Sequence, residues 1–149
     1  MRLALAEAKK AFELDEVPIG CVIVQNERII AKGHNLTEQL KDATAHAEMM
    51  AITSASAALE SRYLTETTLY VTIEPCPMCA GAIVLARIPT LVFGAYDIKA
   101  GACGTLYNIP EDKRLNHQVK VIPGVLDAES SSLLQDYFRK KRPKTASAI

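Results

Sequence analysis

The hydrophobic positions of the chain change between two spacings, one typical of helices and one typical of strands. Leu5, Ala8 and Phe12 recur at helical spacing and predict a first helix that closes at Pro18-Ile19-Gly20. Downstream, apolar β-branched runs and further helical stripes predict more strands and helices. In chain order these are strands over 20–24 and 28–32, a helix over about 45–59 that Thr44 can cap, a strand over 68–73, a short helix over 76–86, strands over 91–95 and 119–122, and a last helix over 130–141.

This succession of elements predicts an α/β fold. The first two strands form an antiparallel hairpin, whereas the strands on either side of the helix over 76–86 form a parallel βαβ crossover. We therefore expect a three-layer α/β/α architecture with a central mixed sheet of about five strands flanked by helices. Residues 1–149 show no internal repeat or linker and are predicted to form a single domain, with a basic helix and tail at about 130–149.

The composition is that of an ordinary globular protein. Hydrophobic residues make up 49% of the 149 residues and charged residues 23%, which argues against disorder. The longest apolar runs, such as residues 19–24, are far shorter than the roughly 20 residues that a membrane-spanning helix needs. Glu7 interrupts the apolar start of the chain, which is typical of an amphipathic helix and not of a signal peptide. We expect a cytoplasmic protein that does not contact a membrane.

The net charge is zero, because 17 Lys and Arg balance 17 Asp and Glu. Zero charge argues against a broadly basic nucleic-acid binder. The neutrality is nevertheless a cancellation, since residues 135–149 carry a net charge of plus 4 and residues 1–134 one of minus 4. Five of the cations lie in the short segment 139–144, directly after Phe138. A local basic surface at this end of the chain therefore stays compatible with an RNA partner.

Two short segments carry the side chains of a metal site. Cys76-Pro77-Met78-Cys79 places two thiols three positions apart at the start of a predicted helix, so both sulfurs can reach one ion. His46, in the first turn of the preceding helix, supplies a third ligand of the kind that zinc prefers. Three protein ligands with Glu48 nearby leave a position for water and a base for its proton, which is typical of a catalytic zinc site.

The spacing of His46 and Glu48 leaves one geometric question open. Residues two positions apart on an ideal helix point roughly 200° apart, because each residue turns the helix by about 100°. The sequence therefore does not explain how the Glu48 carboxylate reaches a water on the metal.

These residues match a known signature. His46-Ala47-Glu48 followed by Pro75-Cys76-Pro77-Met78-Cys79 matches H-x-E…P-C-x-x-C, the signature of the zinc nucleobase deaminases. Further segments make the chain resemble the bacterial tRNA-specific adenosine deaminase family from nearly end to end. These segments are Glu16-Val17-Pro18-Ile19-Gly20, Gly33-His34-Asn35, Thr44-Ala45, Leu69-Tyr70-Val71-Thr72-Ile73-Glu74, Val92-Phe93-Gly94-Ala95 and Leu115-Asn116-His117.

The resemblance implies a fold, an activity and a cofactor. It implies a cytidine-deaminase-like fold, a homodimer, and hydrolytic conversion of adenosine to inosine at the wobble position of a tRNA anticodon loop. It implies one Zn²⁺ per chain, held by His46, Cys76 and Cys79, with Glu48 as the catalytic acid and base. Cys21 and Cys103 are assigned to buried or bystander thiols and not to zinc.

The resemblance also implies substrate contacts. Asn35 would hydrogen-bond the flipped nucleotide, the backbone around Ala45 would contact the base, and Glu74 would line the pocket. Asp97 is a candidate for the ribose 2′-hydroxyl, which separates RNA from DNA, and the basic tail over 139–144 is a candidate phosphate-contacting arm. The competing interpretations are a left-handed turn for Asn35, a solvated loop for Asp97 and a solubilising tail.

Two other functions compete with this one. A deaminase of a free base, especially guanine, can share both motifs. The tRNA branch is favoured by Arg87-Ile88-Pro89, Val92-Phe93-Gly94-Ala95, Asn116-His117 and the basic tail. A non-enzymatic, zinc-stabilised RNA-binding module is the alternative from another class, with Cys21 or Cys103 closing the coordination shell.

Overall fold

A computed structural model provides the structure of the protein and describes residues 1–143. Within these residues, helices and strands alternate much as the hydrophobic pattern predicts. The elements are α1 (Arg2–Glu13), β1 (Gly20–Gln25), β2 (Arg28–His34), α2 (Thr37–Leu40), α3 (Ala47–Leu59), β3 (Thr67–Ile73), α4 (Pro77–Leu85), β4 (Thr90–Ala95), β5 (Lys120–Ile122) and α5 (Asp127–Lys141). None of the helices within 1–143 is long and apolar enough to cross a membrane.

The five strands form one mixed sheet in the order β2-β1-β3-β4-β5. β1 pairs antiparallel with β2 and with β3, whereas β3, β4 and β5 run parallel. The predicted hairpin and βαβ crossover are therefore confirmed. Because β3 and β4 are parallel neighbours, the segments that follow them, which begin with Glu74 and Tyr96, leave the sheet at the same edge.

Helices cover both faces of the sheet. α1 and α5 contact one another and pack on one face, while α3 and α4 pack together on the other. Two glycines permit the closest approaches: a Cβ on Gly20 would lie 2.0 Å from the Ala4 carbonyl oxygen of α1, and a Cβ on Gly33 would lie 2.5 Å from the Ala47 carbonyl oxygen of α3. The predicted three-layer α/β/α architecture is confirmed.

The main hydrophobic core lies between the sheet and the α3–α4 layer. Ile23, Leu69 and Phe93 from the strands meet Ala51 of α3 and Ile83 of α4, and all five are fully buried. Burying each large side chain contributes about 1.5–3 kcal/mol. This packing fixes the starts of α3 and α4 relative to the sheet, and those starts carry the predicted metal ligands.

Three predicted helix starts are corrected by the structure. Thr44 does not cap α3, because Asp42 Oδ1 accepts from Thr44 N at 2.8 Å and Thr44 Oγ1 donates to it at 2.7 Å, which forms a separate turn. α3 therefore begins two residues later than predicted, α4 begins at Pro77, and α5 begins at Asp127. The short α2 was not predicted, because its four residues bury no side chain and show no periodicity.

Candidate metal centre and active site

The three predicted metal ligands meet at two helix N-termini. His46 and Cys76 are the N-cap residues of α3 and α4, and Cys79 lies in the first turn of α4. His46 Nδ1 lies 3.5 Å from Cys79 Sγ and 3.6 Å from Cys76 Sγ. All three ligand atoms lie within 4.8 Å of one another, so side chains 30 residues apart in sequence converge on one point.

These distances can be compared with the bond lengths of zinc. A tetrahedral ion with a Zn–N bond of about 2.05 Å and Zn–S bonds of about 2.3 Å holds its nitrogen and sulfur ligands about 3.6 Å apart. The observed nitrogen–sulfur distances, 3.5 and 3.6 Å, agree with this value. One imidazole and two thiols are therefore compatible with a zinc ion, and a three-residue set leaves a fourth position open.

The two cysteines have opposite pKa shifts. The hydrogen bond from the Cys79 thiol, with a second from His46, lowers the pKa of Cys76 to about 4. The same contact and burial raise the pKa of Cys79 well above its ordinary value. Cys76 is therefore a thiolate at neutral pH, which is the form that binds metal, and its place at a helix N-terminus favours that anion further.

Glu48 is buried beside the metal ligands. It lies in the first turn of α3, and its exposed fraction is 3%. Burial raises its pKa to about 7, against opposing contributions from its own backbone N–H and from His46. The angular objection from ideal helix geometry does not apply, because His46 is an N-cap residue with extended backbone angles, φ −73° and ψ 155°.

A small cavity opens next to His46. Its volume is about 190 Å³, and its lining residues are Val17, Ile19, Asn35, Thr37, His46 and Ala47. The apolar walls come from the segment before β1, and the polar Asn35 faces the same space after the end of β2. Asn35 does not have a positive φ, so the interpretation of Asn35 as a left-handed turn residue is wrong.

Glu16 holds Asn35 and was not predicted as a site residue. Its carboxylate is fully buried and accepts from Gln39 N at 2.6 Å, from Thr37 Oγ1 at 3.3 Å and from Asn35 Nδ2 at 3.4 Å. The Asn35 amide is therefore oriented by a fixed anion. The available sequence signal was an acidic residue directly before the apolar segment that begins at Val17.

The backbone of Ala45 lies next to His46 and already takes part in two hydrogen bonds. Ala45 N donates to the Asp42 carbonyl at 3.1 Å, and the Ala45 carbonyl accepts from Leu36 N at 3.0 Å. A carbonyl oxygen has a second lone pair, and this is the part of the Ala45 backbone that remains for a base.

Glu74 and Asp97 belong to one loop cluster at the carboxyl edge of β3 and β4. The predicted pocket-lining position of Glu74 needs correction, because its carboxylate is buried and accepts from the backbone of Asp97, Cys103 and Thr105. Asp97 is half-buried, and its Oδ1 accepts from Lys99 N at 2.9 Å. Asp97 therefore begins a loop that is held by hydrogen bonds on one side and exposed to solvent at Ile98 and Lys99 on the other.

Cys21 and Cys103 are buried free thiols outside the ligand group. Burial raises the pKa of both, so both stay protonated at neutral pH. In a zinc-stabilised RNA-binding module, one of these two thiols would be the fourth zinc ligand. Neither sulfur lies with the other three ligand atoms, and neither is a thiolate.

Comparison with known proteins agrees with this geometry. The family model of the MafB19-like deaminases matches residues 1–142. The tRNA-specific adenosine deaminase of Bacillus subtilis (strain 168) is 51% identical over 148 residues, which cover 99% of this chain and 92% of that protein. The chain belongs to the tRNA-specific adenosine deaminase family. The resemblance inferred from the sequence motifs is thereby confirmed.

Two solved structures allow this member of the tRNA-specific adenosine deaminase family to be compared with a tRNA deaminase and with a guanine deaminase. A structure from work on A-to-I editing by tRNA:A34 deaminases at the wobble position of transfer RNA matches with a TM-score of 0.87 and 46% identity, covering 90% of this chain and 97% of that one. A guanine deaminase from Bacillus subtilis matches with a TM-score of 0.63 and 29% identity, covering 99% and 96%. The tRNA branch is therefore nearer in both sequence and backbone.

Proposed function

We propose that this enzyme hydrolyses adenosine to inosine at the wobble position of a tRNA anticodon. One observation carries the proposal: His46, Cys76 and Cys79 converge beside the buried Glu48 in a chain that is about half identical, along nearly its whole length, to a tRNA-specific adenosine deaminase. In this proposal residues 1–149 work as one deaminase domain, and the basic helix and tail at about 130–149 serve RNA binding.

We assign one Zn²⁺ per chain to His46 Nδ1 and the sulfurs of Cys76 and Cys79. When bound, zinc lowers the pKa of a water in the open position to about 7. Glu48 accepts a proton from the attacking water and passes it to the ring nitrogen as the new C6–O bond forms. It then takes the proton of the new hydroxyl on C6 and delivers it to the departing amine. The C6–N bond breaks, ammonia leaves and inosine remains.

The burial of Glu48 suits this double role. A general acid and base works best when its pKa lies near the working pH, and burial raises the pKa of Glu48 to about 7.

We assign the flipped base to the cavity beside His46. Asn35, oriented by Glu16, would hydrogen-bond the nucleotide, and the Ala45 carbonyl would contact the base. Asp97 would accept a hydrogen bond from the ribose 2′-hydroxyl. It lies in the loop after β4, at the edge of the sheet where Cys76 follows β3. Apolar walls and a few fixed polar groups are the usual composition of such a pocket.

A second, larger groove supplies the surface for the rest of the RNA loop. Its volume is about 920 Å³, and it lies between α5 and the loop after β4. Lys99, Arg139 and Arg142 line it together with the exposed side chains of Phe138 and Ile98. Cations suit phosphates, and exposed aromatic side chains suit unstacked bases. Lys144, the last cation of the predicted arm, lies outside the described residues.

We propose a homodimer that forms through the outer face of the α3–α4 layer. Leu85 is 78% exposed there, and it borders an apolar groove of about 480 Å³ that Ile52, Tyr63 and Leu115 also line. A continuous apolar groove of this kind is typical of an interface between protein chains. Sedimentation velocity would test the assignment, and a monomer at micromolar concentration would contradict it.

We place the enzyme in the cytoplasm. All four cysteines are free thiols, which agrees with a reducing compartment, and the proposed tRNA substrate serves translation there.

A substrate panel tests the proposed function. An anticodon stem-loop with adenosine at the wobble position would be offered beside free adenosine, guanine and cytidine, and ammonia release would be measured for each. We expect ammonia release from the stem-loop and none from free adenosine, guanine or cytidine. Turnover of guanine without turnover of the RNA would instead support the free-base deaminase, whose relative shares the fold at 29% identity.

A further inference from the structure

We propose that Glu74 is a positioning residue that holds Asp97 against the RNA backbone without touching the substrate itself. The proposal rests on the proposed function, because Asp97 matters only if the substrate carries a ribose. It concerns a side chain whose carboxylate lies 1% exposed at the end of β3, two residues before the metal ligand Cys76.

Four hydrogen-bond donors converge on this carboxylate from one loop. Glu74 Oε2 accepts from Asp97 N at 3.0 Å and from Thr105 Oγ1 at 2.5 Å. Glu74 Oε1 accepts from Cys103 N at 3.1 Å and from Thr105 N at 3.0 Å. Within residues 1–143 no Lys, Arg or His forms an ion pair with Glu74, so these donors alone compensate the buried charge.

The loop has to come close to the carboxylate to make these bonds. A Cβ on Gly101 would lie 2.3 Å from Glu74 Oε2 and 2.5 Å from the Asp97 carbonyl oxygen. Gly101 N also donates to that Asp97 carbonyl at 2.9 Å. Only glycine leaves room for the backbone at this point, so the carboxylate and the loop fit one another as a unit.

The same short stretch of chain joins this loop to the metal ligands. Glu74 binds the loop through its side chain, Pro75 accepts from Ala102 N at 2.8 Å through its carbonyl, and Cys76 follows as a ligand. Glu74 and Pro75 therefore hold the loop that Asp97 begins, directly before the metal ligand Cys76. Since the reacting base sits at the metal and the ribose is joined to that base by a single bond, Glu74 controls how well both can be bound together.

The experiment compares ribose with deoxyribose at one position of the RNA. We would measure kcat/KM for a stem-loop with adenosine at the wobble position and for the same stem-loop with 2′-deoxyadenosine there. The ratio of the two values does not depend on the fraction of correctly folded enzyme, because both come from one preparation. We expect Glu74→Gln to lower this ribose preference by about tenfold, the size of one hydrogen bond to a charged group.

Four further variants make the result specific. Asp97→Ala should lower the ratio equally, and the double variant should lower it no further, because both changes remove the same interaction with the ribose. Thr105→Val removes a single donor and should lower it by about threefold, which covers the case in which Glu74→Gln folds poorly. Glu66→Gln, an exposed glutamate just before β3, should leave the ratio unchanged.

Two results would overturn the proposal. If Glu74→Gln keeps the wild-type ratio, or Asp97→Ala does, the carboxylate serves stability alone. If the wild type fails to deaminate the RNA at all, the proposed function falls and this assignment falls with it. If the wild type deaminates the RNA but the variants keep its ratio of ribose to deoxyribose turnover, only the proposal for Glu74 fails and the proposed function stands. Zinc content near one per chain in Glu74→Gln would show that the weaker ribose preference does not come from the metal.

Discussion

At the scale of single residues, Glu48 separates an enzyme from a zinc-stabilised binding module. Glu48→Ala should keep zinc, since the carboxyl is not among the three ligand atoms that converge. It should lower the turnover of the RNA by about 10²–10⁴-fold, the usual effect of removing a general acid and base. Single-turnover inosine formation and a zinc assay would measure both. Glu66→Ala, which changes an exposed glutamate, should leave both unchanged.

The opposite outcome would be equally clear. If Glu48→Ala deaminates the RNA at the wild-type rate, the proposed proton transfers are wrong, whatever the zinc content.

Motif spacing predicted some residues of the site and missed others. The two cysteines were found from their spacing, because residues three positions apart at the start of a helix lie on one face. His46 was found because it lies at the start of the preceding helix. Glu16 and the hydrogen bonds of Glu74 were missed, because each carboxylate accepts hydrogen bonds from a loop 19 to 31 residues further along the chain. Hydrophobic periodicity carries no information about such contacts, since a buried carboxylate looks like a surface residue in a sequence.

At the scale of elements, the close packing of α3 on β2 places His46 and Glu48 relative to the sheet. Gly33→Ala would put a Cβ 2.5 Å from the Ala47 carbonyl oxygen, which forces α3 away from the strand. We expect a decrease of about 1–3 kcal/mol in the free energy of unfolding, together with weaker zinc retention. Urea denaturation and a chelator competition would measure the two effects.

Gly81→Ala is the matched control. Gly81 lies in α4, and a Cβ added there would have no neighbouring atom within 4 Å, so alanine fits at this position and favours the helix. Stability equal to or above the wild type is expected. Equal stability of the Gly33 variant would contradict the close packing of α3 on β2.

A part-buried hydrogen bond between Glu7 and His34 ties α1 to the end of β2. Burial alone would raise the pKa of Glu7, but hydrogen bonds from Lys10 and His34 outweigh it, so the pKa lies below the ordinary 4.5. A lowered pKa means that the stabilisation is present above pH 4.5 and is lost as the pH falls through the pKa of the folded state. We expect Glu7→Gln to cost about 1–3 kcal/mol at neutral pH and progressively less in acid.

Thermal unfolding of the wild type and Glu7→Gln across a pH series would measure this. Glu13→Gln, an exposed change on the same helix, serves as the control and should follow the wild type. A stability difference between the wild type and Glu7→Gln that stays constant into acid would contradict the lowered pKa of Glu7.

The error in the predicted start of α3 has a structural cause. The strands and the order of elements followed from apolar runs and are correct to within two residues. The start of α3 was misplaced because a local turn at Asp42 competes for the Thr44 side chain. That difference matters for function, since it turns His46 from a helical residue into an N-cap residue.

At the scale of the whole molecule, a net charge of zero coexists with a groove lined by basic residues. Replacing Arg139 and Arg142 with Gln should weaken RNA binding, because both line the groove between α5 and the loop after β4. The slope of log affinity against log salt should become shallower by about 0.7 for each phosphate that is no longer neutralised. Fluorescence anisotropy across a salt series would measure it. Arg28 and Lys32, exposed cations outside this groove, give the control pair.

If the Arg139 and Arg142 variant binds RNA with the wild-type affinity and salt slope, the basic end of the chain serves solubility and the RNA lies elsewhere.

The meeting of two helix starts at the metal ligands also has a thermodynamic consequence. His46 begins a helix that packs on β1 and β2, whereas Cys76 begins the crossover helix between β3 and β4, 30 residues later. An ion shared by them binds the folded chain and finds no such arrangement in the unfolded one. Its binding free energy would therefore be added to the folding free energy, and we expect the stability of the protein to rise with the logarithm of the free zinc concentration. Withdrawal of the metal would thus loosen the sheet from its helices as well as stop the reaction.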